Sequence, residues 1–172
     1  MYKKLVVFVL AALLVAFISQ SAMSQRVPSG PAGRSDVGHL YLFEKNPDNW
    51  EIVKGGAWGK MTYDLCGSTF DFVFNGHKLH PDWNYTLIYY PDPWPGKGLI
   101  CLGDGKADQY GDVHIMNQVN TGNLPATFDS NYPNGAKIWL VLSADVNCDS
   151  AMMIGWNPTK YLFEHNLITS SQ

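Results

Sequence analysis

The chain has 172 residues, of which 46% are apolar, 13% aromatic and only 16% charged. That composition excludes a disordered chain, and the length fits one domain or at most two. Twelve basic against fifteen acidic side chains give a formal charge of -3. With no basic surplus to neutralise phosphates, nucleic acid is not an expected partner.

Residues 1–24 read as a secretory signal peptide. Lys3 and Lys4 precede an unbroken apolar run from Leu5 to Ile18, and Ala22 and Ser24 place small residues at the -3 and -1 positions of a cleavage before Gln25. A helix of that run is about 21 Å long, short for a bilayer core of about 30 Å, so no membrane span is expected after cleavage. An uncleaved N-terminal anchor is the alternative. Without residues 1–24 the chain keeps 10 basic and 15 acidic side chains over 148 residues, enough to bury one sizeable core. Residues 25–37 hold Pro28, Gly30, Pro31 and Gly33 and read as a flexible tether. The domain proper is expected over 38–172.

From Gly38 onward short apolar runs alternate with turn clusters. Strands are expected at 39–43, 58–65, 69–74, 84–90, 98–103, 111–119 and 136–142, with short closing strands at 161–163 and 167–168. Met61, Tyr63 and Leu65 alternate with Lys60, Thr62 and Asp64, the period-two mark of a half-buried strand. Phe70, Phe72 and Phe74 fall on one face and need a core. Pro91 and Pro93 stop the strand that ends at Tyr90. The run over 136–142 is apolar at nearly every position and reads as central, buried on both faces. No window carries a sustained helical stripe; a single turn near 47–50 or 158–161 is the most expected. The fold class is therefore all-β, an antiparallel β-sandwich of about eight short strands, with a barrel as the alternative that period alone does not separate. The sequence Tyr41-Leu42-Phe43-Glu44 recurs as Tyr161-Leu162-Phe163-Glu164 without further self-similarity. First and last strands lying as neighbours in similar environments is one reading; chance is the other.

Five stretches carry a resemblance: Tyr85-Thr86-Leu87-Ile88-Tyr89-Tyr90, Asp92-Pro93-Trp94-Pro95-Gly96, Gly98-Leu99-Ile100-Cys101-Leu102-Gly103, Gly135-Ala136-Lys137-Ile138-Trp139-Leu140-Val141-Leu142 and Gly155-Trp156-Asn157-Pro158. Together they resemble an uncharacterised β-sandwich module of secreted and cell-surface proteins of prokaryotes, many of them archaeal. The resemblance spans residues 38–169. It implies a location and a fold, and no catalytic motif. Cys66, Cys101 and Cys148 allow three single pairings. A Cys101–Cys148 bridge is expected, because both lie beside predicted strand ends in the region of resemblance. Closing a loop of about 47 residues, it contributes about 2–4 kcal/mol. Cys66 is then a small buried hydrophobe or a point for an intermolecular bridge.

Candidate sites divide by chemistry. His77 and His80 stand three apart, and with Asp82 they suggest a transition-metal site; a solvated turn is the plainer reading. Asp104, Asp108 and Asp112 recur in a glycine-rich loop and suggest calcium, although Lys106 and Gln109 break the spacing a calcium loop needs. No cofactor is otherwise expected. Trp83, Asp92 and Trp94, extended by Tyr132 and Trp156 if the loops share one end, suggest a ligand site of flat aromatics beside a carboxylate. Packing is the competing role for these rings. Asn84 begins an Asn-Tyr-Thr glycosylation acceptor. Enzyme signatures such as a nucleophile elbow, a phosphate loop or a zinc-binding helix are missing. Glu44, Asp64, Asp71 and Glu164 supply carboxylates for a glycosidase pair only if the fold joins two of them. The expected function is a secreted or cell-surface module for binding or assembly, its partner a surface protein or a glycan. Carbohydrate binding through loop aromatics is the first alternative, and a metal-dependent hydrolase or redox protein the second. The Pro/Gly-rich segment 25–37 docking on the sheet edge of another copy is the assembly variant.

Overall fold

The computed structural model describes residues 36–171. The expected signal peptide, and the tether up to residue 35, lie outside them. Ten strands follow in chain order: β1 (Val37–Phe43), β2 (Trp58–Asp64), β3 (Phe70–His77), β4 (Asn84–Tyr90), β5 (Ile100–Lys106), β6 (Val113–Val119), β7 (Lys137–Leu142), β8 (Val146–Asn147), β9 (Met152–Met153) and β10 (Leu162–Glu164). Eight form one antiparallel sheet in the order β5-β4-β7-β10-β1-β2-β3-β6, and β8 pairs with β9 as a small hairpin. The all-β antiparallel class is thus as the alternation implied.

The large sheet folds over on itself so that its edges meet. A methyl group on Gly103 of β5 would stand 2.9 Å from Ile115 of β6, and one on Gly105 would stand 2.8 Å from Val113. Asn117 Nδ2 donates to the Leu102 carbonyl at 2.8 Å across the same seam. The seam covers both edges over these residues, so strand addition by a second copy has no open template there.

Inside the curl sits the main core. Leu40, Leu42, Met61, Tyr63, Phe70, Phe72 and Phe74 face Tyr85, Leu87, Tyr89, Ile138, Leu140 and Leu162. All three phenylalanines of β3 point inward, as period two demands. A second core covers the outer face of β4, β7 and β10. Ile88, Tyr90, Trp139, Val141 and Phe163 lie there under Val146, Met153 and Tyr161. The apolar run of β7 has this cause: both faces of that strand are buried. The two Tyr-Leu-Phe-Glu segments are indeed neighbours, with Leu42 opposite Glu164 and Phe43 opposite Phe163. Their environments are alike at the leucines, which both enter the inner core, and differ at the tyrosines, since Tyr41 is exposed and Tyr161 buried.

Several expected boundaries shift. β3 runs on to His77, so that histidine stands on a strand and not in a turn. β5 runs on to Lys106, which puts Asp104 within a strand. The 167–168 run is an isolated bridge, Ala136 to Ile168. A single 3-10 turn occurs at Pro158–Lys160. The β8–β9 hairpin gave no sequence signal, because strands of two residues carry no period.

The Cys101–Cys148 bridge is formed, with Cα atoms 5.8 Å apart. Alternation sends Cys101 to the outer side of β5, where the β8–β9 lobe brings Cys148 to it. Cys66 is free and exposed, which removes the buried-hydrophobe reading of that residue. Among the described residues no helix is long and apolar enough to cross a membrane.

Candidate functional site

On the covered outer face, a cleft of ≈ 680 Å³ opens between three loops. Its floor belongs to the sheet. Tyr90 of β4 stacks on Trp139 of β7 with centroids 3.8 Å apart and planes at 11°, and Phe163 of β10 meets Trp139 edge-on at 5.1 Å. Desolvation, with Asp92 and Asp129 nearby, pushes the Tyr90 hydroxyl up to about 12, so it stays neutral.

Each wall is an indole from a different loop. Trp50 comes from the turn after β1, where Asn46 N–H donates to the Glu51 carbonyl at 2.8 Å. Its backbone is left-handed, with φ of 59°, a conformation costly for a bulky side chain. That twist lays its indole edge-on against Phe163 at 5.1 Å. Trp94 comes from the loop after β4. Gly96 allows that loop to close: with φ of 72°, it lies where a methyl group would stand 2.5 Å from the Tyr90 ring. Trp156 comes from the lobe after β7 and meets Trp94 at 5.4 Å and 75°, forming a corner. Trp50, Trp94 and Trp156 are 49%, 51% and 41% exposed.

The lobe is firmly clipped. Buried Asp145 accepts from the Tyr161 hydroxyl at 2.6 Å and from Asn157 Nδ2 at 2.8 Å, while its carbonyl receives the N–H groups of Ile154 and Gly155. Gly155 must be glycine, since a methyl group there would fall 2.2 Å from Asp145 Oδ1. Met153 N–H donates to the Pro95 carbonyl and Gly98 N–H to the Ala151 carbonyl, both at 2.9 Å, so the lobe and the Trp94 loop hold each other.

Polar groups stand at the rim. Lys137 pairs with Asp92, and Asn131 Nδ2 donates to the same Asp92 oxygen at 2.8 Å. Beneath them buried Asp129 accepts from the Tyr89 hydroxyl at 2.7 Å and from the Asp92 N–H at 3.2 Å. Lys45 Nζ donates to the Glu164 carbonyl at 2.9 Å. Burial holds the Glu164 carboxyl above its ordinary value; its own backbone N–H, Lys45, the Trp139 indole N–H and Lys137 pull the other way and do not cancel it.

Of the five residues expected to bind a ligand, Asp92, Trp94 and Trp156 meet in this cleft. Trp83 does not; it stacks on His80 at 4.0 Å with Lys160 Nζ 5.9 Å from its ring. Tyr132 lines a separate groove with Leu124 and Pro133. The sequence reading missed Trp50, Tyr90, Trp139 and Phe163, together with Lys45, Lys137 and Glu164. Trp139 was read as plain core, and the repeated Tyr-Leu-Phe-Glu was the one hint that Lys45 and Glu164 come near each other.

The metal candidates stay apart. His77 Nδ1 bonds Asp112 Oδ1 at 2.9 Å, Asp82 pairs with Lys106 at 3.0 Å, and Asp108 Oδ1 accepts the N–H groups of Tyr110 and Asp112 within its own turn. Asp104 stands on β5. Among the described residues no group of three or more His, Cys, Asp or Glu side chains converges to hold an ion. The glycosidase candidates also have separate duties: Glu44 accepts the Ala57 N–H, Asp71 bonds Thr69 and Gln118, Asp64 shares a shallow groove with Asp71, and Glu164 lies in the aromatic cleft. Asn84 is exposed at the first position of β4. No family model, curated protein or solved structure matches the chain.

Proposed function

We infer that the protein is a binding module of the cell exterior, and that its outer-face cleft takes a saccharide. The observation that carries this reading is the gathering of four of the chain's six tryptophans at one cleft rimmed by paired charges. Three of those indoles are left half-exposed on clipped loops, an arrangement that holds apolar area ready for a ligand. The apolar face of a sugar ring fits an indole, and its hydroxyls suit the Lys137–Asp92 rim. The volume lies within the range of small-ligand sites, roughly 300–1,000 Å³. The disulfide supports an oxidising compartment, and the resemblance to secreted modules points the same way.

Titration with soluble oligosaccharides, followed by tryptophan fluorescence and calorimetry, tests the reading. Binding by the wild type is expected to fall at least about tenfold in Trp94→Ala with the melting temperature unchanged, since that indole is half in water. A wild type silent toward every sugar class sinks the proposal.

A further inference from the structure

The polar groups of the cleft are unevenly satisfied. Asp92 has its Oδ2 taken by both Lys137 and Asn131. Lys45 is held on a backbone carbonyl. Glu164 differs: its Oε2 is buried without a well-formed hydrogen bond, and so is Nε1 of Trp139. The two face each other closely enough for the indole N–H to favour the charged carboxylate. Folded proteins rarely leave such groups incomplete, and those that remain at a cavity wall are where an incoming group finishes the bonding.

The chemistry of that group is constrained. A hydroxyl donates to a carboxylate and accepts from an indole N–H at once. A quaternary ammonium has neither a proton to donate nor a lone pair, and a primary ammonium only donates. A second carboxylate would meet Asp92 and Glu164, with Lys137 already paired.

Resting on the saccharide reading above, we propose that Glu164 and the Trp139 indole N–H together seat one hydroxyl of an uncharged sugar ring whose faces lie on the half-exposed indoles, so that the cleft selects neutral over acidic saccharides. Glu164 is the specificity-determining residue of the site. The indoles supply affinity for any ring; the carboxylate decides which ring stays.

The test uses the full chain with its disulfide intact and four probes: cellohexaose, chitohexaose, mannohexaose and oligogalacturonate. The expected result is binding of at least one neutral probe at least about tenfold tighter than oligogalacturonate. Glu164→Leu should lose about tenfold or more toward that probe, while Glu164→Gln, which keeps an acceptor oxygen, should lose clearly less. Near-ultraviolet circular dichroism identifies any variant that misfolds, and Glu164→Gln then carries the test alone through a measurable loss. If Trp94→Ala weakens binding but both Glu164 variants bind as the wild type does, the proposal is overturned and the saccharide reading stands. Equal affinity for oligogalacturonate overturns the selectivity. Binding of tetramethylammonium with no sugar bound overturns both.

Discussion

The outer side of the large sheet is two surfaces of opposite character. Over β2, β3 and β6 it is bare and polar: Lys60, Thr62, Asn75, His114 and Gln118 point outward, and His114 Nδ1 bonds Asn75 Oδ1 at 2.7 Å across strands. Over β4, β7 and β10 it is covered, and Tyr90, Trp139 and Phe163 pack under a stapled lobe. The inner faces of both halves are alike. A sheet with one solvated side needs only alternation, whereas a sheet buried on both sides must find material for a second layer. Here that layer is built from loops, and the gap it leaves is the aromatic cleft.

The contrast can be broken most strongly from the covered side. Phe163→Ala is expected to destabilise the fold by about 3–5 kcal/mol in urea unfolding, because its ring is fully enclosed. A cost near that of a surface substitution would mean that the second layer is loose. Removing both Cys101 and Cys148 comes next, with an expected loss of about 2–4 kcal/mol. Hydrogen exchange should then quicken over 143–161 while amides of β2 and β3 keep their protection; uniform quickening would show that the bridge constrains the whole chain instead of the lobe.

A smaller effect concerns Glu164. Its carboxyl titrates above the ordinary 4.5 in the folded state, so the stability tied to its proton is full at low pH and is lost as pH rises through the raised value. Glu164→Gln, which cannot ionise, should melt level with the wild type near about pH 4 and above it near about pH 7. A gap that does not change with pH would contradict the burial argument. The smallest effect belongs to the bare side. Met116 points outward on β6 and is 68% exposed, so Met116→Ala should stay within about 0.5 kcal/mol. A larger loss would reveal a cover on that face.

Much of this contrast was legible residue by residue. Alternation in β2 and β3 named the inward side chains, and the unbroken run of β7 announced a strand buried twice. The exposed Trp94, set between Pro93 and Pro95, was readable from its loop. Trp139 was not readable as a pocket floor, because a buried core tryptophan and a buried floor tryptophan obey the same pattern. Trp50 gave no signal at all: its role depends on a left-handed turn that composition does not mark. The aspartates failed in the opposite way, since even spacing suggested a shared loop while the longer β5 placed Asp104 on a strand and Asp108 spent its oxygens on its own turn.

By itself the sequence determined the all-β class, the inward face of most strands and the pairing of Cys101 with Cys148, all features written in local period or in the few partners available. Only the tertiary structure decided that the sheet would close at the β5–β6 seam, and that Trp50, Trp94 and Trp156 would meet over Trp139. Those facts depend on how far a twisted sheet curls and where three loops land, and contacts between residues tens of positions apart leave no period in the chain.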